Sequence, residues 1–184
     1  MAIPTVPTLA VGDKFTAARH NAIVTLTSFL LNPPECVGTN VAGTVHTTSV
    51  RLLFPMATED VDTGPTWDGA MHSTSTNNSR IVATTAGRYR LKVRQSWAAN
   101  ATGRRQLDVC LNVAGTFSAG AVVLSNAPAY TLTAADVCRN EAEVEIDLAA
   151  NDYLEMFGFQ SSGGNLALDT GAGSNYMLLR LIGS

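Results

Sequence analysis

From Val37 to the end of the chain, apolar and polar residues alternate in short runs separated by turn signals, the pattern of a β-sandwich or barrel. Residues 88–97 show it most clearly. Tyr89, Leu91, Val93, Gln95 and Trp97 share one face; Arg90, Lys92, Arg94 and Ser96 share the other. Residues 105–113 repeat it with Leu107, Val109 and Leu111 inward, and residues 141–148 with Val144, Ile146 and Leu148 inward. Further strands are expected at 50–54, ended by Pro55, at 79–84, at 166–168 and at 175–182. Residues 60–69 read as loop, and 114–135, rich in Ala, Ser, Thr and Gly, give no placeable strand. The pattern predicts an all-β, antiparallel fold of eight to ten strands without internal repeat over residues 35–184.

Residues 1–34 differ. Pro4 and Pro7 disfavour helix and central strand, so residues 1–12 read as an extended arm carrying Ile3, Val6, Leu9 and Val11 and closed by Gly12-Asp13. Residues 16–31 then predict one helix. Thr16 or Asp13 caps its start, and Asn32-Pro33-Pro34 stops it. Phe15, Ala18, Ala22, Leu26 and Phe29 recur at helical spacing, widened by Ile23 and Leu30. Such a helix beside an apolar arm serves as a docking or self-association device, or folds back on its own domain; the sequence leaves both open. The anchoring set expected from this segment is Ile3, Val6, Leu9, Val11, Phe15, Ala22, Leu26 and Phe29.

Residues 148–160 combine a turn at Asn151-Asp152 with a strand. Leu154, Met156, Gly158 and Gln160 fall on one face; Tyr153, Glu155, Phe157 and Phe159 fall on the other. Glu155 disfavours the second face as core, because an unpaired buried carboxylate is costly. Three rings then point away from the core, and exposed aromatic stripes mark partner surfaces. Tyr153, Glu155, Phe157 and Phe159 are therefore the expected contact between copies of the chain. The alternative is that a helix or loop of the same chain covers them.

Composition narrows the function. Charged residues are 15 % of the 184, against 46 % apolar, and soluble domains typically carry roughly 25 % charged residues. So few charges suit a surface that neighbours cover. The net charge of −3 gives no general attraction for nucleic acid. Half of the twelve basic residues lie between Arg88 and Arg105. No aromatic residues interleave with them on the 90/92/94 face, so pairing with Glu143, Glu145, Asp147 and Glu155 is favoured over a nucleic-acid or polysaccharide patch.

Cys36, Cys110 and Cys138 lack metal or redox spacing and read as free thiols. His20, His46 and His72 have no metal-ligand spacing and read as solvated or capping residues. No nucleophile elbow, P-loop or dinucleotide fingerprint occurs. Residues 60–71 only faintly match a calcium loop, with Pro65 at the sharp turn and Met71 at the position of the bidentate Glu. A small hydrolase would need a cluster of His with Asp or Glu, which the spacing does not offer. Neither a catalytic residue nor a metal or cofactor is expected. No signal peptide is expected at the first residues, and no run reaches the length of a membrane span.

Several motifs occur in a recognisable order: Gly87-Arg-Tyr-Arg-Leu-Lys-Val, a strand ending in Trp97, Gly103-Arg-Arg, Val144-Glu-Ile-Asp-Leu, Asn151-Asp-Tyr-Leu-Glu-Met, Ser-Gly-Gly, and Asn175-Tyr-Met-Leu-Leu. Over residues 45–184 this resembles the trimeric jelly roll of the complement-head and tumour-necrosis-factor-like class, with Asn151 where that class has a glycine. Val11-Gly-Asp-Lys-Phe-Thr-Ala-Ala-Arg-His-Asn followed by Phe-Leu-Leu-Asn-Pro-Pro is similar to the start of small virion proteins of actinobacterial tailed phages. The resemblance implies a homotrimeric, non-enzymatic virion structural protein, made in the host cytoplasm and displayed on the particle. Its expected role is capsid decoration, with residues 1–34 fixing it to the major capsid protein. The alternative is a minor tail or host-adhesion protein that binds host glycans through loops 60–78 and 114–135.

Overall fold

A computed structural model of the chain describes residues 7–8, 10–40, 44–67, 69–127, 137–171 and 173–183. In chain order these form α1 (Ala17–Leu31), β1 (Glu35–Thr39), β2 (Val45–His46), β3 (Arg51–Leu53), β4 (Thr58–Asp62), the single turn α2 (Gly64–Trp67) and β5 (Arg80–Val82). There follow β6 (Gly87–Trp97), β7 (Arg105–Leu111), a 3-10 turn (Ala119–Ala121), β8 (Val122–Asn126), β9 (Cys138–Leu148), β10 (Tyr153–Gln160), β11 (Leu166–Ala167) and β12 (Tyr176–Gly183). Two antiparallel sheets pack face to face. One has the order β4-β1-β12-β6-β9; the other runs β3-β10-β7-β8, with β5 sharing the β10 edge with β3. The described strands exceed eight to ten because β2 and β11 form a separate two-residue ladder.

The alternation read from the sequence builds the core. Tyr89, Leu91, Val93, Gln95 and Trp97 are all buried, facing Leu107 and Val109 of β7 and Leu154 and Met156 of β10 in one cluster with Met177, Leu179 and Leu181. Each such apolar side chain contributes about 1.5–3 kcal/mol on burial. The Tyr89 hydroxyl donates to the Thr85 carbonyl at 2.6 Å, which meets its polar end inside the core.

The turn before β10 explains its residues. Asn151 has φ +74°, a left-handed conformation that asparagine tolerates almost as readily as glycine. The Asp152 carboxylate accepts from the Ala149 N–H and from Asn112 Nδ2, both at 2.8 Å, tying the β9–β10 hairpin to the end of β7. Gly158 is required for space, since a Cβ there would lie 2.6 Å from Gln95 Nε2 and 2.8 Å from His46 Cε1.

Two expectations are corrected. Residues 60–69 are not all loop: β4 runs through Asp62 as an edge strand on β1. Its exposed Glu59 and Asp60 suit an edge that must not pair further. Asp62 accepts from the backbone N–H groups of Gly64, Met71 and His72, so the loop's own donors occupy the carboxylate. Nor are all the histidines solvated: His46 and His72 are buried.

Candidate functional site

Sequence pattern singled out two surfaces, the outer face of β10 and the N-terminal helix. Tyr153, Glu155, Phe157 and Phe159 do point away from the sandwich core, and yet they are not free. Phe157 is 1 % exposed and Phe159 9 % in a single chain. The segment after β7 folds back over them. Phe117 meets Phe157 edge to face at 5.7 Å between ring centres. Arg51 lies 4.3 Å above the Phe117 ring and 5.2 Å from that of Phe159, held by Asp108 at 2.9 Å, and Arg104 covers Phe159 at 4.9 Å. Arg80 stacks on Tyr153 at 4.2 Å, and the Tyr153 hydroxyl accepts from the Ala114 N–H at 3.0 Å.

Glu155 is fully buried and multiply bonded. It accepts from Ser79 Oγ at 3.0 Å, from Arg80 at 3.3 Å and from the Gly115 N–H at 2.7 Å. The premise that these rings are exposed on a single chain is corrected: the loop after β7 covers Glu155 and Phe157, and Arg51 and Arg104 cover Phe159. Phe117, Arg51 and Gly115 do the covering; sequence reading missed Phe117 and Gly115 because residues 114–135 carry no periodicity, and Arg51 because it comes from β3, far away in sequence.

The helix behaves in the opposite way. Thr16 Oγ1 accepts from the Arg19 N–H at 3.3 Å, and the Asn32 N–H donates to the Ser28 carbonyl at 2.9 Å, so both ends are capped as the sequence suggested. Phe29 is buried in the core cluster, and Ala22 and Leu26 are half-buried on the same side. Phe29 attaches the helix to its own domain, which removes it from the anchoring set, while the half-buried Ala22 and Leu26 are only partly available. Val11 and Phe15 are exposed; Ile3, Val6 and Leu9 lie outside the described residues. Ile23, Val24, Leu30 and Leu31 are also exposed, the last two at 68 % and 79 %. A groove of about 510 Å³ opens beside them, lined by Leu30, Pro33, Arg90, Arg180 and Ile182.

The basic run pairs across strands. Arg88 meets Glu145 at 3.1 Å, Arg90 meets Glu143 at 3.3 Å, and Lys92 and Arg94 both meet Glu141, at 3.1 and 2.7 Å. Burial alone would raise Glu141; hydrogen bonds from Arg94 and Lys92 outweigh it and hold the carboxyl below its ordinary value. Hydrogen bonding to Glu141 likewise raises Lys92.

His46 sits edge-on to Trp97 at 4.9 Å between rings, and neither ring nitrogen has a well-formed hydrogen bond. Burial lowers its pKa to about 4, opposed slightly by the nearby Gly158 backbone. His72 pairs with Glu59 at 2.7 Å. Among the described residues no three His, Cys, Asp or Glu side chains converge on a metal position. Cys36, Cys110 and Cys138 are buried and form no disulfide among the described residues. Beside the 60–78 loop a hollow of about 270 Å³ is lined by Ala70, Met71, His72, Ser73, Thr76, Asn77, Arg80 and Val82.

No protein-family model matches the sequence, and no curated protein does. Solved structures do match in fold. Eiger TNF from S. frugiperda superposes with a TM-score of 0.55 at 14 % identity, over 82 % of this chain and 95 % of that one. The globular domain of zebrafish complement 1qA gives 0.52 at 12 %, over 81 % and 97 %. Murine APRIL gives 0.55 at 9 %, over 80 % and 99 %. The chain thus has the jelly-roll fold of the tumour-necrosis-factor and complement-head structures.

Proposed function

We propose that the protein is a non-enzymatic, homotrimeric structural component of a phage particle that decorates the capsid and is held there by its N-terminal segment. The observation that carries this reading is an apolar helix left largely uncovered on a well-packed body. An apolar helix is normally buried on all sides, and exposed apolar surface of this kind marks a partner site. The likeness in fold to tumour-necrosis-factor and complement-head structures supports a binding or assembly role, and the resemblance of residues 11–34 to small phage virion proteins supports the particle.

Val11 and Phe15, exposed ahead of the helix, are the anchoring residues available among the described ones. Co-sedimentation with purified phage shells that lack the protein tests the role. The wild type is expected to pellet with shells, and the pair Val11→Asp, Phe15→Asp to stay in the supernatant with its own oligomer intact. Equal pelleting of both overturns the anchoring role.

The hollow at His72, Ser73, Thr76, Asn77 and Arg80, which mixes hydrogen-bonding side chains with Ala70, Met71 and Val82, favours a second reading, adhesion to host glycans from the tail. Binding to a glycan array, with no binding to shells, would select it.

A further inference from the structure

Strand β2 closes the core at the end where β6 finishes, and the groups beneath it are unusual. His46 is fully buried, with its ring edge-on to Trp97 at 4.9 Å between centres. Its Cε1 carbon and the Gln95 amide both stand over Gly158, where a Cβ would lie 2.6–2.8 Å from them. Nδ1 and Nε2 of His46, Oε1 and Nε2 of Gln95 and Nε1 of Trp97 lack a well-formed hydrogen bond among the described residues. Buried polar atoms are nearly always bonded, and each one left unmet forfeits the bond it would make to water. Lifting β2 gives water access to all five. We propose that residues 44–48 form an acid-operated latch, in which protonation of His46 lifts β2 off Trp97 while both sheets stay folded.

The connections of β2 allow this movement. Among the described residues it pairs with β11 alone, at His46–Leu166 and Val45–Ala167. Around that two-residue ladder, the Leu168 N–H donates to the Thr44 carbonyl at 2.9 Å and Gln160 Nε2 to the His46 carbonyl at 3.0 Å. The Gly163 N–H reaches Thr48 Oγ1 at 3.2 Å. Strand β11 is tied to the body separately. Leu168 bridges to Trp97, the Ala98 N–H donates to the Ala167 carbonyl at 3.0 Å, and the Asp169 N–H donates to the Ser96 carbonyl at 2.9 Å. Residues 44–48 therefore lift without breaking a pair in either five-stranded sheet. Short, sparsely bonded segments of this kind open more readily than the strands of a core.

Charge makes the movement depend on acid. The residues that meet His46 from its neighbours are Gln95 and Trp97 of β6, Gly158 and Gln160 of β10 and Leu166 of β11, none of them ionisable. On β7 the charged residue at this end is Arg105, opposite Gln160 in register, with its guanidinium donating to the carbonyls of Asn100, Thr102 and Arg104. Beyond β11, the Asp169 carboxylate is engaged by Ser174 Oγ at 2.8 Å. A proton on the buried imidazole thus finds no carboxylate beside it, and burial holds the closed histidine down at about 4. Lifted into water, the same ring protonates near its ordinary 6.5. The ratio of lifted to closed strand therefore rises as the pH falls below about 6.5, by about tenfold per unit until about 4.

Acrylamide quenching of Trp97 tests the latch in the full chain carrying Trp67→Phe, which leaves Trp97 as the one tryptophan. Quenching is expected to rise severalfold between about pH 6.5 and about pH 4 while the far-ultraviolet strand signal stays constant. In His46→Phe, which keeps a ring against Trp97 and cannot titrate, quenching is expected to stay low over the same range. Shielding of Trp97 that persists to pH 4, or exposure that appears only together with loss of the strand signal, overturns the proposal. So does a pH response in His46→Phe equal to that of the parent.

A covalent lock keeps the test open if His46→Phe fails to fold. Val45 and Ala167 are register partners across β2 and β11, and directly opposed residues of an antiparallel pair lie within the Cα separation a disulfide spans. Val45→Cys with Ala167→Cys retains His46. Oxidised, this pair is expected to hold Trp97 shielded down to pH 4; reduced, it is expected to restore the rise in quenching. An oxidised chain that exposes Trp97 as readily as the reduced one overturns the proposal.

Discussion

The outer face of β10 and the outer face of α1 carry the same kind of residue and meet opposite fates. On β10, Phe157 and Phe159 are covered by Phe117, Arg51 and Arg104 of their own chain. On α1, Leu30 and Leu31 stay 68 % and 79 % exposed among the described residues. The difference lies in the connection that leaves each region. Between β7 and β8 the chain runs through residues 112–121, enough slack to fold back over the sheet. After α1, Asn32-Pro33-Pro34 turns straight into β1, so the connection that leaves the helix does not return over it. Among the described residues, an apolar face therefore stays open only where the connection that leaves it does not fold back over it.

Removing a ring from the covered face should damage the fold and spare assembly. Phe157→Ala is expected to cost about 3–5 kcal/mol, as buried aromatic truncations do, read by urea unfolding, with the native oligomer mass unchanged. A change of mass with little loss of stability would restore the sheet face as the contact.

The inner side of the same strand gives a pH signature. His46, against Gly158, is neutral when folded, with its pKa lowered from 6.5 to about 4 by burial. Below about pH 6.5 the unfolded chain takes up a proton that the folded chain refuses. This contribution is therefore fully present above about pH 6.5 and is lost progressively as the pH falls to about 4, by roughly 3 kcal/mol at about 1.4 kcal/mol per pH unit. His46→Leu should flatten that part of the stability–pH curve; an unchanged curve would show that other groups set it.

Glu155→Gln should weaken the cover without opening it. Hydrogen bonds to a charged group are worth about 1.5–3 kcal/mol, and the Gly115 N–H bond at 2.7 Å holds the covering loop to β10. Faster hydrogen exchange across residues 112–118 is the expected readout. The smallest effect belongs to the charge ladder. Glu143→Gln removes a half-exposed pair with Arg90 and should change stability by under about 1 kcal/mol, with no change in oligomer mass.

Much of the fold was legible because burial on one face leaves a period of two. The inward set of β6, the cross-strand charges of β6 and β9 and the caps of α1 all follow from residue type and spacing. The β4 edge was not, since Glu59, Asp60 and Asp62 are strand-disfavouring residues that persist there by pairing with β1. The cover over Phe157 was hidden because a lone Phe117 among Ala, Ser, Thr and Gly signals no element. On the helix, apolar residues lie all round, so the stripe ending at Phe29 and the stripe ending at Leu30 compete in sequence. Only the structure shows which one the domain uses.

Hydrogen exchange of the wild-type chain alone and with phage shells that lack the protein compares the two faces in one experiment. Amides in residues 11–31 are expected to gain protection when shells are added, while those of residues 153–160 stay equally protected throughout. Shell-dependent protection at 153–160 with none at 11–31 would contradict the proposal that the N-terminal segment is the face that meets a partner.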